Sequence, residues 1–183
     1  MLLANSLCPR VDEADMLSKT SETAILALVY LCREGANGPV APTQIAADLG
    51  ASASYMAKVS ASLTRAGLLR AHRGVKGGVT LSRQPSEISL LAIVEACQGH
   101  ILGNYCQDDD RVELVCAFHH AMLELHRAFV GVLARWTLAD LASRTQPAPE
   151  LARVVNCRMA CLHNSTAKKK TSPKRAAAPR RRN

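Results

Sequence analysis

The chain has 183 residues, of which 48% are hydrophobic and 21% are charged, a composition that is ordinary for one soluble domain with appendages. Only 3% of the residues are aromatic, so the core must be built from Leu, Val, Ile and Ala. This favours helices and argues against an all-β fold. No apolar run approaches the roughly 20 residues that a membrane-spanning helix needs, and the first residues lack the basic charge of a signal peptide. We therefore expect a soluble, cytoplasmic protein.

The net charge of +8 is concentrated at the C-terminus. Residues 164–183 hold eight of the 23 Lys and Arg residues and no acidic residue, so the rest of the chain is formally neutral. A segment of Lys, Arg, Ala, Pro, Ser and Thr cannot bury enough apolar surface to offset its ordering entropy, and we expect it to be disordered. Its expected partner is a nucleic acid, and the alternative is a tail that is simply solvated.

Seven cysteines form an odd-numbered set in a chain without an export signal, which argues against a disulfide framework. We expect reduced thiols or metal ligands. Cys32 lies in an apolar stretch and is interpreted as a core thiol. Cys157 and Cys161, with His163 close behind, have the spacing of a soft-metal clip on a helix, but a fourth ligand is not identified.

The first half of the chain predicts three helices. Residues 20–33 have the periodicity of an amphipathic helix, with Ser21 as the expected N-cap. Residues 42–49 predict a short second helix and residues 52–66 a third, separated by a turn at Gly50. Two short helices around such a turn form a helix-turn-helix.

A small β-wing and a fourth helix are predicted next. Residues 68–72 and 79–82 are strand candidates, and the connection between them is basic and rich in glycine. Residues 89–97 predict the fourth helix, with Ser86 or Ser89 as its cap.

A long apolar pattern follows in the second half. From residue 111 to about residue 143, apolar side chains recur at helical spacing. A helix of that length on a small domain cannot bury its apolar stripe alone, so we expect it to pair with a second copy of the chain. The apolar positions are Leu114, Val115, Phe118, Met122, Leu125, Phe129, Val132, Leu133, Trp136 and Leu141.

Several short motifs accompany this order of elements. They are Met16-Leu17-Ser18-Lys19-Thr20, Ile45-Ala46 with Gly50, Ser54-Tyr55, Leu63 with Ala66-Gly67-Leu68, Arg73-Gly74 with Gly77-Gly78, and Pro85-Ser86-Glu87-Ile88-Ser89-Leu90-Leu91 with Ile93-Val94-Glu95-Ala96 and Gly99. Together they resemble the Rrf-type (IscR/NsrR-like) family of bacterial winged-helix transcriptional regulators over about residues 16–136. The resemblance implies a dimeric transcription factor, and many members of this family sense through an iron–sulfur cluster.

The predicted fold is therefore mainly α with a small β-wing: a winged helix-turn-helix domain followed by a long C-terminal dimerisation helix. The chain is expected to divide into six parts. They are an N-terminal extension at 1–15, the DNA-binding domain at 16–97, a sensor loop at 98–110, the dimerisation helix at 111–146, a loose segment at 147–163 with a short helix over 150–162, and the basic tail at 164–183.

The DNA-binding interpretation also follows from side-chain chemistry. The third helix carries small hydroxyls and cations away from its apolar stripe, which suit a major groove, and the wing adds cations for phosphates or an adjacent minor groove. The alternative is that these are only solvated charges. The candidate DNA-binding residues are Ser52, Ser54, Tyr55, Lys58, Ser62, Arg65, Arg70, His72, Arg73 and Lys76.

The resemblance places a sensor between the fourth helix and the long helix. Relatives that bind a cluster hold three cysteines there, whereas this chain has only Cys106 and Cys116, with no cysteine between them. Histidine can replace cysteine as a cluster ligand, so His119, with His120 as the near alternative, is a candidate. Glu22 resembles an acidic position from which some relatives supply a carboxylate across the dimer. The predicted metal site is thus Cys106, Cys116, His119 and Glu22, holding a 2Fe-2S cluster in preference to 4Fe-4S.

The alternative to a cluster is that Cys106 and Cys116 are redox-reactive thiols and the nearby histidines are surface or interface residues. At the level of function, the leading hypothesis is a dimeric DNA-binding transcriptional regulator, in particular a repressor, that senses redox state, nitric oxide or iron–sulfur status. A winged-helix module that binds protein partners is the second hypothesis. A metalloenzyme is disfavoured because the chain has no nucleophile elbow, phosphate loop or His-Glu-x-x-His pattern.

Overall fold

The computed structural model describes residues 17–35, 38–74, 77–101, 116–147 and 159. The chain divides into two units, one of residues 10–145 and one that combines residues 1–9 with 146–183. Within the described ranges, no helix is long and apolar enough to cross a membrane. Several predictions lie outside the described residues: the N-terminal extension, most of the sensor loop with Cys106, the start of the dimerisation helix, Lys76, the helix at 150–162 with Cys157, Cys161 and His163, and the basic tail.

The unit of residues 10–145 contains six α-helices, one 3₁₀ turn and a two-stranded antiparallel sheet among its described residues. In chain order these are α1 (Lys19–Glu34), α2 (Pro42–Leu49), α3 (Ala53–Arg65), β1 (Leu69–His72), β2 (Gly78–Leu81), the 3₁₀ turn (Pro85–Glu87), α4 (Leu90–Gln98), α5 (Ala117–Arg135) and α6 (Leu138–Ser143). The prediction of a mainly α, winged helix-turn-helix fold is confirmed.

Helix α1 is the central element of this unit and packs against α2, α3, α4 and α6. It begins after Ser18, whose hydroxyl accepts a hydrogen bond from the backbone N–H of Ser21 at 3.2 Å. The prediction of Ser21 as the N-cap was therefore wrong. Ser21 lies in the first turn of the helix and is fully buried, because it faces the end of α4.

The helix-turn-helix forms as the sequence predicts. Pro42 occupies the first turn of α2, where its missing N–H costs nothing. Gly50 then takes the left-handed conformation, with φ of 65°, that a sharp turn requires. Ser52 caps α3 by accepting from the backbone N–H of Tyr55 at 3.3 Å. The buried side chains of Ile45 and Met56 belong to the core that α2 and α3 share.

The wing is a short hairpin whose strands pair from Leu69 opposite Leu81 to His72 opposite Gly78. Val40 also pairs with Val79 through two backbone hydrogen bonds of 3.0 and 2.9 Å, which attaches the hairpin to the chain just before α2. A Cβ on Gly78 would lie 2.5 Å from the carbonyl of Val40, so only glycine permits this close approach.

The predicted single helix over residues 111–143 is interrupted. Helix α5 ends at Arg135, and the backbone at residues 136–138 pairs with the segment that enters α4: the N–H of Leu90 donates to the carbonyl of Trp136, and the N–H of Leu138 donates to that of Ile88. A capping box between Thr137 and Asp140 then starts α6. Helix α6 packs on α1 and the 3₁₀ turn, so the end of the predicted dimerisation helix belongs to the core of the unit.

Candidate nucleic-acid interface and sensor residues

One face of α3 is buried and the opposite face is open. Met56, Val59 and Leu63 are at most 1% exposed. At 100° per residue, Ser54, Lys58 and Arg65 fall on the other side of the helix, and all three are exposed. We call these three residues the DNA face, after the role that the sequence predicts for them.

Three further residues predicted on the groove side of α3 have different surroundings. Ser52 is exposed, but its hydroxyl already serves as the helix cap. Tyr55 and Ser62 are only half-exposed, because they lie on the flank of the helix. The hydroxyl of Tyr55 donates to Oγ1 of Thr20 on α1 at 3.3 Å. Tyr55 therefore links α3 to α1, and Ser54, Lys58 and Arg65 face solvent.

The wing presents cations beside this helix. Arg70, His72 and Arg73 are all exposed. Nε2 of His72 lies 2.9 Å from Oγ1 of Thr80 on the paired strand, which fixes the imidazole on the surface of the hairpin. The predicted DNA-binding residues of the wing that the structure describes are thus all accessible to a ligand.

The charge of this region is of one sign. No acidic residue occurs between Asp48 and Glu87, whereas six Lys and Arg residues lie in that interval. The interval contains α3 and the whole wing. Because the main body of the chain is formally neutral, this segment is its most electropositive part, as a surface that binds phosphates requires.

Two residues of the open face of α3 were not predicted. Ala57 and Ala61 are exposed and lie beside Lys58 and Arg65 on the helical wheel. Small side chains at these positions allow a nucleic acid backbone or base edge to approach the helix closely. The helical period places both alanines on this face, but neither carries a polar group that would mark it as a contact.

The described sensor candidates lie at the starts of two helices. Cys116 is exposed and precedes the first residue of α5. His119, in the first turn of α5, is only 4% exposed, and its Nδ1 has no hydrogen-bond partner among the described residues. Glu22 is half-exposed in the first turn of α1. Among the described residues, no three His, Cys, Asp or Glu side chains come together as a metal site.

Two other cysteines are less exposed than Cys116. Cys32 on α1 and Cys97 on α4 are each half-buried. Burial raises the pKa of the Cys32 thiol to about 11 and also raises the pKa of Cys97. Both thiols therefore hold their protons near neutral pH. Cys32, interpreted from the sequence as a core thiol, is thus a packing residue that remains partly accessible.

Helix α5 is apolar on two sides. Helix α5 packs on α4, and its buried residues are His119 and Leu133. On another side, Phe118, Leu125 and Val132 recur every seven residues and are 63%, 56% and 45% exposed. We call these three residues the outer stripe. Seven-residue spacing is the pattern by which a helix packs along a second helix.

A transcription-factor family accounts for this arrangement. The family model described as "Rrf2: Iron-dependent Transcriptional regulator" matches residues 17–144, which include every helix and strand described above. The chain belongs to the Rrf2 family. It is therefore a transcriptional regulator of the class that the sequence motifs resembled, and the family accounts for the exposed, cationic helix-turn-helix and wing.

Rrf2 relatives match most of the chain. An Azotobacter vinelandii protein named as an HTH-type transcriptional regulator, ORF2, is 30% identical over 131 residues, which are 70% of this chain and 80% of that protein. Among solved structures, the global cysteine regulator CymR of B. subtilis superposes with a TM-score of 0.60 at 26% identity, covering 69% of this chain and 95% of that one. T. potens IscR gives a TM-score of 0.58 at 25% identity, covering 71% and 88%.

The family raises the question of whether this Rrf2 regulator can hold an iron–sulfur cluster. Thiolates are the usual cluster ligands, and histidine or carboxylate is a rarer substitute. In the described part of the chain, Cys116, His119 and Glu22 do not meet in one site, and Cys106 lies outside it. The described residues of the predicted site therefore form no cluster site within a single chain, and no mechanistic step is assigned to a cluster.

Proposed function

We propose that this protein is a homodimeric, DNA-binding transcriptional repressor. The observation that carries the proposal is the DNA face of α3, continued by the exposed Arg70 and Arg73 of the wing in an interval without acidic residues. A helix of this kind enters the major groove, and the wing contacts phosphates or the minor groove beside it. Because chromosomal DNA is the proposed partner, the proposed location is the cytoplasm, with the nucleoid.

The homodimer is proposed from the outer stripe of α5. Three large apolar side chains in a row remain 45–63% exposed in one chain. Covering the exposed part of each would stabilise the association by a fraction of the roughly 1.5–3 kcal/mol that full burial of such a side chain contributes. The same stripe on a second copy supplies that cover, since a two-fold interface joins identical surfaces. Two DNA faces carried by one dimer would then read two half-sites.

The proposed signal acts at the segment between α4 and α5, through Cys106 and Cys116. Cys116 supports this because its thiol is exposed at the first residue before a 19-residue helix, whereas Cys32 and Cys97 are half-buried with raised pKa values. The relatives named above include an IscR and a global cysteine regulator. The signal classes proposed are redox state, nitric oxide and iron–sulfur status.

DNA binding is tested by selecting duplexes from a random pool with the full-length protein and footprinting the selected sequence at low and physiological salt. We expect a protected region of two half-sites about 10 base pairs apart, or a multiple of that spacing. Protection without sequence preference at both salt concentrations would contradict a regulator that recognises an operator.

The cluster is tested separately by anaerobic reconstitution with iron and sulfide. Visible absorption in the wild type that is absent from Cys106→Ser and Cys116→Ser would support a cluster held by this segment. Absence of bound iron in the wild type would leave thiol oxidation as the proposed signal. Oxidation of Cys116 by peroxide would then be expected to change the affinity for the selected duplex.

A further inference from the structure

The end of α4 is connected to the DNA-reading helix through a short chain of side chains. Gln98 is the last residue of α4, immediately before the segment that leads to Cys116. Its side-chain oxygen accepts two hydrogen bonds from the start of α1: one from the backbone N–H of Ser18 at 3.1 Å and one from the hydroxyl of Ser21 at 3.0 Å. One acceptor atom therefore holds the first turn of α1.

The two serine hydroxyls are arranged so that Gln98 is the final acceptor. Ser21 donates its only hydroxyl hydrogen to Gln98, so in the 3.0 Å contact between the two hydroxyls Ser18 is the donor. Ser21 is fully buried, and a buried hydroxyl that loses its acceptor is costly. The position of the Gln98 amide is thus tied to the position of the α1 N-terminus.

The same turn of α1 holds the recognition helix. Thr20 lies between Ser18 and Ser21, and its Oγ1 accepts the hydrogen bond from the hydroxyl of Tyr55 in the first turn of α3. Tyr55 is next to Ser54 of the DNA face. A displacement of the first turn of α1 therefore changes the support of the helix that faces DNA.

The other side of the same junction is fixed to α5. The carbonyl of Ile101 and Nε2 of His126 form a hydrogen bond, which holds the chain three residues after Gln98 against α5. Residues 98–101, where the segment between α4 and α5 begins, are thus bonded to α1 through Gln98 and to α5 through Ile101. A displacement of residues 99–101 would therefore act on both contacts.

We propose that Gln98 is a positioning residue for DNA recognition, which couples the segment between α4 and α5 to α3 through the first turn of α1 and the Thr20–Tyr55 hydrogen bond. This inference rests on the proposed function, because it concerns how a signal in that segment reaches the DNA face. Gln98 is not a DNA contact, and its effect on affinity passes through Tyr55.

The first experiment measures amide hydrogen exchange of the full-length protein without DNA. Gln98→Leu removes the accepting oxygen while keeping a side chain of similar size, and we expect faster exchange both in the first turn of α1 and in the first two turns of α3. Gln98→Glu keeps an accepting oxygen beside the N-terminus of α1, where negative charge is favourable, and should restore protection. His100→Ala, two residues away and exposed, is the control and should leave α3 unchanged. Faster exchange confined to α1 and α4 would overturn the proposal.

The second experiment measures affinity for a duplex selected by the wild-type protein. Loss of one supporting hydrogen bond corresponds to about a three- to tenfold weaker affinity, and we expect this for Gln98→Leu and for Tyr55→Phe. The double variant should be no weaker than the weaker single variant, because both changes break one chain of contacts. Multiplicative losses would overturn the coupling.

The two experiments separate this inference from the proposed function. If the wild type selects no duplex, DNA recognition fails while the exchange result still decides the coupling. If Gln98→Leu does not fold, Thr20→Val is used, since it removes only the acceptor for Tyr55 and keeps the contacts of Gln98. Unchanged exchange in α3 of Thr20→Val would then contradict the proposal.

Discussion

Among the predicted DNA-binding residues, Lys58 is the one whose substitution tests the DNA face most directly. It is exposed at the centre of the DNA face, four residues from Ser54 and seven from Arg65. Lys58→Ala should weaken binding to the selected duplex. If Lys58 contacts a phosphate, the affinity for every DNA sequence falls alike, and the slope of log affinity against log salt becomes shallower by about one. If Lys58 contacts a base, the variant loses about 1–3 kcal/mol of discrimination against the wrong base.

The matched control for Lys58 is Arg127→Ala, which removes an exposed cation from α5. Filter binding or fluorescence anisotropy at several salt concentrations measures both variants. Equal losses for the two would show that net charge, and not the DNA face, determines the affinity.

Cys32 gives a pH dependence of stability. Burial raises the pKa of its thiol to about 11, while an unfolded thiol has a pKa of about 8.5. The folded chain therefore binds the proton more tightly, and the stabilisation is complete below the unfolded-state pKa and is lost as the pH rises toward about 11. Urea unfolding should show stability falling over this alkaline range, and Cys32→Ala should show a smaller fall.

Val29→Ala is the control for this measurement, because it truncates a buried side chain of α1 without removing a titrating group. It should lower stability at every pH and keep the wild-type alkaline slope. An unchanged slope in Cys32→Ala would mean that its thiol has the same pKa in both states.

The sequence predicts the role of a residue where its side-chain chemistry and its position in the helical period indicate the same face of the helix. The exposed positions of Lys58 and Arg65 follow from the helical period alone. The sequence could not show which of Ser18 and Ser21 is the N-cap, because serine is a good N-cap at either position. The packing of α1 against the end of α4 decides it, since this packing buries Ser21. The role of Tyr55 depends on Thr20, which lies 35 residues away in the sequence, so no local pattern could reveal it.

Among the secondary-structure elements, α5 differs from the others in having an apolar inner side and an apolar outer stripe. The outer stripe predicts that Leu125→Glu converts the proposed dimer to a monomer. The folded unit should be little affected, since Leu125 is 56% exposed in a single chain. Light scattering or sedimentation measures the mass of the particle.

Ala134→Glu introduces the same charge at an exposed position of α5 away from the outer stripe. It should keep twice the chain mass. If Leu125→Glu also keeps the dimer, the two copies do not associate through the outer stripe.

Helix α6 has the opposite character, because Leu138 is fully buried and α6 packs on α1 and the 3₁₀ turn. Leu138→Ala should lower the free energy of unfolding by about 2–5 kcal/mol, since it leaves a cavity in the core. Arg127→Ala, at an exposed position of α5 away from the outer stripe, is the control and should change unfolding little. A small effect of Leu138→Ala in urea unfolding would contradict the anchoring role of α6.

The break between α5 and α6 explains why the sequence was misleading at this point. Trp136 and Leu141 continue the apolar spacing of α5, so a single helix fits the periodicity. The hydrogen bonds of residues 136–138 to the segment around Ile88 interrupt it, and these are contacts between parts of the chain almost 50 residues apart. By contrast, α2, α3 and the wing are defined by local caps, turns and short-range pairing, and their bounds agree with the prediction to within a residue.

At the scale of the whole molecule, positive charge is divided between a structured interval and the C-terminal segment. The interval between Asp48 and Glu87 contains the DNA face and the wing, whereas residues 164–183 carry eight further cations and no acid. We expect these two parts to contribute differently. The DNA face selects a sequence, and the terminal cations add affinity for any DNA through counterion release.

Truncation after His163 should therefore weaken non-specific binding most. The slope of log affinity against log salt should become shallower by up to about 0.9 for each phosphate that the removed cations neutralised. The ratio of specific to non-specific affinity should be kept, because the truncated protein retains α3 and the wing. Replacing the eight cations with glutamine at full length is the matched control for length. A fall in the specificity ratio in both variants, with the salt slope unchanged, would show instead that the terminal segment takes part in reading sequence.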